Sequence, residues 1–217
     1  MCVDPQSRRM TKRLPTGITV LDRQLDGGIP AGSIVFLGAS PASQSELILY
    51  ELTAARGTLY LTTARSDQAV RDALDRGQFR CGNPTVRAVD SDGPVDQAHR
   101  LVQGLPEEAN LIIDVVDVLE HVEPARYQNF LNELQTHMIN TRGLTVLHGL
   151  KTPNPPRNRG ISKHMADIVF DLDTSVKGSE IENRLAVPKF RGGRALDETI
   201  KLRLMDEVDV DTSRDIA

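Results

Sequence analysis

The sequence predicts an α/β protein with a mostly parallel sheet, helices on both faces of that sheet and a β-hairpin near the carboxyl end. Short aliphatic runs alternate with longer segments of helical spacing, a pattern typical of parallel strands joined by crossover helices. Near the end this alternation stops, and two strand-like segments flank the turn Arg191–Arg194, which favours a hairpin.

The individual elements follow from spacing and from turn residues. Six short aliphatic segments are predicted strands: Ser33–Leu37, Thr58–Thr62, Thr85–Val89, Leu111–Val115, Leu144–Leu147 and Ile168–Leu172. Four segments have helical periodicity: Ser45–Ala55, Asp67–Asp75, Val95–Gly104 and Pro124–Asn140. The hairpin strands are Arg184–Phe190 and Glu198–Leu204, and Pro188 favours an edge position for the first. Prolines and asparagines crowd residues 152–160, which predicts an exposed loop and excludes a helix there.

Length and charge bound the organisation of the chain. The 217 residues suffice for one domain, expected over residues 13–205, between a flexible basic segment 1–12 and a flexible acidic tail 206–217. The net charge of −4 argues against a general nucleic-acid binder without excluding one. No apolar run has the length of a membrane span and no signal peptide is recognisable, so we expect no membrane partner and a cytoplasmic location.

A phosphate-binding loop is expected at residues 38–45, between a predicted strand and a predicted helix, where backbone N–H groups and the helix dipole attract anions. The working pattern is G-x-x-x-x-G-K-[ST]. The inner glycine is replaced here by Ser43 and the lysine by Gln44; the full loop is Gly38, Ala39, Ser40, Pro41, Ala42, Ser43, Gln44 and Ser45. Taken alone, these residues are equally compatible with an ordinary strand–turn–helix connection.

The sequence around this loop resembles the KaiC-like branch of the RecA superfamily of ATPases. Residues 16–33 follow the family's opening T-G-I-x-x-L-D-x-x-L-x-G-G-I-P-x-G-S in register, and Gly38 follows at the start of the loop. The resemblance continues more weakly to about residue 204. It implies a single RecA-like domain, and it makes residues 38–45 a degenerate Walker A loop.

The resemblance also locates the metal and catalytic positions. Leu111–Asp114 has the Walker B form, an aliphatic strand ending in a carboxylate, which implies that Ser45 and Asp114 would hold Mg²⁺ if a nucleotide binds. Otherwise Asp114 would cap a turn or bond to Ser45. Ala64 and Arg65 lie where the family has a glutamate pair that activates water, and neither can act as a general base.

Three further polar residues lie at positions that matter in the family. Lys189 and Arg191 match its K-x-R-G element, in which the lysine and arginine reach the nucleotide of a neighbouring subunit. The alternative is a solvated basic pair on a hairpin. His148 follows the predicted strand 144–147, where related folds sense the terminal phosphate, and a plain polar residue at a strand end is the alternative.

These observations predict a non-hydrolysing relative of KaiC-like ATPases, a regulatory or signalling protein that acts through a protein partner. We expect no catalytic residue and no cofactor beyond weak binding of ATP with Mg²⁺, since a lost lysine removes about 1.5–3 kcal/mol of phosphate binding. Self-assembly into a homo-oligomer stays open. So do two alternatives: an ATPase with an unconventional loop, and a DNA-repair accessory protein similar to recombinase paralogues.

Overall fold

The computed structural model of the protein describes residues 12–210. In chain order its strands are β1 (Arg13–Leu14), β2 (Ile29–Pro30), β3 (Ile34–Ala39), β4 (Thr58–Thr62), β5 (Thr85–Ala88), β6 (Asn110–Asp114), β7 (Leu144–Leu150), β8 (Ile168–Lys177), β9 (Glu180–Phe190), β10 (Ile200–Leu204) and β11 (Val208–Val210). The helices are α1 (Thr19–Gln24), α2 (Glu46–Ala55), α3 (Asp67–Arg76), α4 (Pro94–Val102), α5 (Pro124–Thr141) and α6 (Arg159–Met165), and a 3-10 helix covers Val116–His121.

A nine-stranded sheet in the order β11-β10-β9-β8-β3-β7-β6-β4-β5 organises the fold. The strands from β8 to β5 in that order pair in parallel, and β9, β10 and β11 are antiparallel. This arrangement confirms the predicted α/β class, the mostly parallel sheet and the antiparallel carboxyl end. The short strands β1 and β2 form a separate antiparallel pair.

Helices cover both faces of the sheet because successive residues of a strand point to opposite sides. In β3, Val35 and Leu37 belong to the core that includes α1, α2 and α3, whereas Ile34 and Phe36 belong to the core that includes α4, α5 and α6. The strand β3 is therefore buried on both faces, as its uninterrupted aliphatic run predicts. No helix in residues 12–210 combines the length and the apolar character needed to cross a membrane.

Two local predictions need correction. The segment 152–160 is not a loop to its end, because α6 begins at Arg159, which is buried against acidic side chains. Pro188 lies in a strand that has neighbours on both sides, so the predicted edge position is wrong. The proline is tolerated because the β9–β10 pairing covers only residues 183–185 and the β8–β9 pairing shifts register between Val169 and Asp171.

The sheet also extends further than the sequence indicates. The strands β8 and β9 continue as a long hairpin to Lys177 and Glu180, and the predicted acidic tail begins with β11, which pairs with β10. Residues 1–11 and 211–217 of the two predicted flexible ends lie outside the described residues.

Candidate functional site

The candidate site lies at the carboxyl ends of β3, β7 and β6, which are neighbours in the sheet. The residues Leu37, His148 and Asp114 lie side by side in the registers of these strands. Residues 40–45 connect β3 to α2 above the same edge. The predicted loop, Asp114 and His148 are thus brought together at one edge of the sheet. Ligand crevices of open α/β sheets form at such an edge.

A continuous chain of hydrogen bonds joins the predicted metal ligands through a histidine. Ser45 Oγ lies 3.1 Å from His148 Nε2, and His148 Nδ1 lies 2.7 Å from Asp114 Oδ1. All three residues are buried. Because an ionised carboxylate only accepts, Nδ1 carries the proton that is donated to Asp114. The imidazole of His148 thus occupies the space between Ser45 and Asp114.

The second oxygen of Asp114 is also bound by the protein. Tyr60 donates its phenol proton to Asp114 Oδ2 over 2.5 Å, and Arg65 Nη2 donates to the same oxygen over 3.1 Å. The same Nη2 lies 3.1 Å from the hydroxyl of Tyr50. Arg65, for which the sequence analysis expects a glutamate in KaiC-like proteins, thus forms an ion pair with Asp114.

The network keeps Asp114 ionised. Burial alone raises the pKa of the Asp114 carboxyl, but the hydrogen bonds from His148 and Tyr60 and the charge of Arg65 outweigh burial and hold that pKa below its usual value. Burial and the adjacent Asp114 carboxylate raise the pKa of Tyr60, which therefore remains a phenol and a donor.

The lowered pKa of Asp114 predicts a pH dependence of stability. A depressed carboxyl pKa contributes stability that is fully present above the unfolded value, about 3.9, and is lost as the pH falls through the lower folded value. We therefore expect Asp114→Asn to lower the free energy of unfolding most near neutral pH, with a difference from wild type that shrinks below about pH 4. Urea unfolding over a pH series measures this difference.

The control for this prediction is Asp26→Asn, which changes an exposed carboxylate whose backbone φ of 53° asparagine tolerates. Its free energy of unfolding should follow that of wild type at every pH. A destabilisation by Asp114→Asn that is independent of pH would contradict the ionic role of Asp114.

Hydrogen bonds among its own residues, including two serine side chains, hold the loop 38–45 in a tight turn. Ser43 donates its backbone N–H (3.0 Å) and its hydroxyl (2.7 Å) to the carbonyl oxygen of Ser40, whose side chain accepts from the N–H of Ala42. Ser43 is not among the non-glycine residues with positive φ in the described chain, which are Asp26, Glu108 and Arg142. The serine thus replaces the pattern's glycine without a strained backbone.

A lysine outside the loop lies beside its first residue. A Cβ at Gly38 would lie 3.7 Å from Cε of Lys151, whose backbone N–H donates to the carbonyl of Ala39 over 2.7 Å. The ammonium of Lys151 forms ion pairs with Asp171 and Asp173 of β8. This cation is therefore neutralised by the protein and does not replace the missing loop lysine in the observed arrangement.

The arranged side chains do not fit a Mg²⁺ ion. Such an ion needs oxygen ligands in near-octahedral geometry. The imidazole of His148 lies between Ser45 Oγ and Asp114 Oδ1, so the two predicted ligands cannot share one ion in this arrangement, and protein donors also bind both oxygens of Asp114. In residues 12–210 no group of three or more histidine, cysteine or acidic side chains is placed to hold a metal.

A serine, a histidine and an aspartate bonded in this order also form the catalytic unit of serine hydrolases. In those enzymes the hydroxyl must reach a substrate carbonyl. Here Ser45 is only 3% exposed, so its hydroxyl is not accessible to a substrate. The chain of bonds therefore acts as an internal link and not as a nucleophilic site.

Lys189 of β9 and Arg191, which directly follows β9, have partners within their own chain. Lys189 Nζ donates to the carbonyls of Lys163 (2.9 Å) and His164 (2.6 Å), and Arg191 donates to His164 (2.7 Å) and pairs with Asp167. Both cations thus satisfy carbonyl groups at the carboxyl end of α6, where the helix dipole is negative. The inter-subunit role predicted for Lys189 and Arg191 stays a prediction.

Sequence reasoning missed Tyr60, Tyr50 and Lys151 as members of the site. Tyr60 lies in the middle of β4 and reads as a core aromatic residue, although a buried phenol usually needs a hydrogen-bond partner. That requirement, combined with the nearby Walker B aspartate, is the signal that could have identified Tyr60.

Comparisons with known proteins agree with this architecture. The model of a family of unknown function, DUF7125, matches residues 13–217. The crystal structure of the KaiC-like protein PH0186 from the hyperthermophilic archaeon Pyrococcus horikoshii OT3 is similar, with a TM-score of 0.75 and 17% sequence identity over 93% of this chain and 99% of that chain. No curated protein matches the sequence. The structural likeness confirms the predicted RecA-like fold.

Proposed function

We propose that this chain, which belongs to the DUF7125 family of unknown function, is a KaiC-like RecA-fold domain that does not hydrolyse ATP and that works as a regulatory or signalling protein through a protein partner. The observation that carries the proposal is the His148 bridge between Ser45 and Asp114. It places a protein side chain where a metal-bound nucleotide would need free oxygen ligands.

Three changes in the same site support a degenerate Walker A loop. Gln44 carries no charge for the phosphates, Ser43 closes the loop on Ser40, and Arg65 binds the Walker B carboxylate at the place of a general base. Each change alone weakens nucleotide chemistry. Together they remove the cation, the open loop and the base that phosphoryl transfer requires.

Action through a protein partner is supported by an exposed apolar pair on the hairpin of β8 and β9. Val176 and Ile181 are cross-strand neighbours, and they are 73% and 69% exposed. Large apolar side chains that share one exposed face are typical of interaction surfaces. Homo-oligomerisation through Lys189 and Arg191, and a cytoplasmic location, remain parts of the same proposal.

Weak nucleotide binding is the second candidate, and one observation favours it. In the described part of the chain, the backbone N–H groups of Gln44 and Ser45 have no backbone acceptor, and both lie at the amino end of α2. Such groups attract phosphate. This candidate predicts nucleotide affinity without turnover.

The proposal predicts no ATP turnover above background at saturating Mg²⁺ and ATP. The reason is the joint absence of the loop lysine and of a carboxylate at Ala64 or Arg65. Release of inorganic phosphate measures turnover. Steady hydrolysis that Asp114→Ala abolishes would contradict the proposal, because it would assign a catalytic role to the Walker B carboxylate.

A further inference from the structure

A second crevice lies next to the closed nucleotide site, on the far side of Arg65. This α2–α3 cavity has a volume of about 410 Å³ and is lined by α2, by α3 and the segments on either side of it, by the end of β10 and the turn that follows it, and by Gln44 of the loop 38–45. The volume falls in the range of small-molecule sites. Ser45, His148 and Asp114 do not line this cavity, although Arg65, which pairs with Asp114, does.

Side chains of both charges line the cavity, and some of their hydrogen-bond donors and acceptors have no partner within residues 12–210. Arg65 uses only Nη2 for its bonds to Tyr50 and Asp114, so among the described residues its Nε and Nη1 groups have no partner. The carboxylates of Glu46 and Asp206 line the same cavity, and neither has a side-chain partner within residues 12–210. One guanidinium and two carboxylates therefore face a common space.

The remaining wall is apolar. Leu47, Phe79 and Met205 line the cavity, and Met205 is 62% exposed although it is large and apolar. Phe79 is held in place by stacking on Tyr50, with ring centroids 4.9 Å apart. A rigid aromatic wall beside charged groups is typical of small-molecule sites, in which a few polar groups orient an apolar ligand.

We propose that the α2–α3 cavity binds a free α-amino acid with an apolar side chain. The guanidinium of Arg65 matches a carboxylate, because its planar fork presents paired N–H groups. Glu46 and Asp206 match an ammonium group, and the same two carboxylates disfavour nucleotides and other polyanions. The apolar side chain packs on Leu47, Phe79 and Met205.

This inference rests on the proposed regulatory function and adds to it the class of ligand that would regulate the protein. The ion pair between Arg65 and Asp114 links the cavity to the His148 bridge. A ligand carboxylate that draws on the guanidinium of Arg65 would change the surroundings of Asp114. The proposed regulatory ligand is therefore an apolar amino acid. Its binding would alter the hydrogen bonds at the carboxyl edge of the sheet.

The test is a nuclear magnetic resonance titration of the full chain with L-leucine, L-leucinamide and N-acetyl-L-leucine. L-leucine should give saturable shifts at Phe79, Met205 and the His148 ring. The amide, which lacks the carboxylate, and the acetylated form, which lacks the ammonium, should each bind at least about tenfold more weakly, the effect of one charge-assisted hydrogen bond.

Three variants make the result specific. Arg65→Met and Asp206→Asn should each weaken L-leucine binding at least about tenfold. The matched control Arg76→Met, which alters a 77% exposed arginine of α3, should bind as wild type does. Asp206 lies in an exposed turn, so its variant keeps the test valid if Arg65→Met fails to fold.

The inference is overturned if L-leucine gives no saturable shift, or if Asp206→Asn and the modified leucines bind as well as wild type binds L-leucine. An added arm with Mg²⁺ and ATP separates the two proposals. ATP hydrolysis that Asp114→Ala abolishes would contradict the proposed function and would leave the amino-acid site intact.

Discussion

Replacing Arg159 by methionine is expected to lower the free energy of unfolding by about 3–5 kcal/mol, the usual result of removing one partner from a buried ion pair. Arg159 Nε lies 2.7 Å from Glu120, Nη2 lies 2.6 Å from Asp117, and Nη1 donates to the carbonyl of Leu150 over 2.6 Å. Glu120 is fully buried. Without Arg159, the Glu120 carboxylate would keep, among residues 12–210, only its bond to Ser162.

The environment of Glu120 explains the size of this effect. Burial raises the pKa of the Glu120 carboxyl, and the opposing bonds from Ser162 and Arg159 do not cancel that rise. The same cluster ties the 3-10 helix that follows Asp114 to α6 and to the end of β7. Its loss would therefore loosen the edge of the sheet that carries His148.

Urea unfolding of two further variants separates charge burial from general damage. Arg76→Met removes an exposed ion pair with Asp72 and should change the free energy of unfolding by less than about 0.5 kcal/mol. The double variant Arg159→Met with Glu120→Leu should regain part of the loss, because the fully buried Glu120 charge is removed and only the partly exposed Asp117 loses its ionic partner. A loss in Arg159→Met no larger than in Arg76→Met would contradict this assignment.

Restoring the loop pattern should restore nucleotide affinity but not its dependence on metal. Ser43→Gly with Gln44→Lys recreates G-x-x-x-x-G-K-S. A charge-assisted bond to phosphate is worth about 1.5–3 kcal/mol, so ATP affinity should rise about tenfold or more. Because His148 still bridges Ser45 and Asp114, added Mg²⁺ should not strengthen binding by this double variant.

Adding His148→Ala to the double variant should introduce a dependence on Mg²⁺, since Ser45 Oγ and Asp114 Oδ1 are then released. Hydrolysis should stay low in both variants because Ala64 and Arg65 supply no base. Equilibrium dialysis of labelled ATP with and without Mg²⁺ measures both effects. Metal-dependent binding with His148 in place would contradict the bridge. A folded double variant without any gain in affinity would contradict the expected rescue by the restored loop.

The fold could be predicted from the sequence because its signals are local. Each buried strand is a short aliphatic run, and the alternation with helices fixes the class before any contact is known. The carboxyl ends of β3 and β6 could also be predicted to meet at one edge, since parallel strands share it. The full length of β9 and the presence of β11 were harder to predict from the sequence, because polar strand residues such as Glu180 and Asp209 resemble loop residues.

The internal bonds of the site could not be predicted from the sequence. The sequence shows that the lysine and the glutamate pair are missing, but not what replaces their contacts. The bridge by His148, the bond from Tyr60 and the reversal of charge at Arg65 depend on side-chain geometry across β3, β7, β6 and β4. The sequence offered two roles for His148, a sensor of the terminal phosphate or a plain polar residue at a strand end. Neither role includes a link between the two predicted metal ligands.

Calorimetric titration of the wild-type chain with ATP in the presence of Mg²⁺ tests most directly whether the protein's own side chains fill the nucleotide site. We expect no saturable, metal-dependent heat, because the imidazole of His148 lies between Ser45 and Asp114 and protein donors bind both oxygens of Asp114. A single-site isotherm that requires Mg²⁺ and disappears in Asp114→Ala would contradict this.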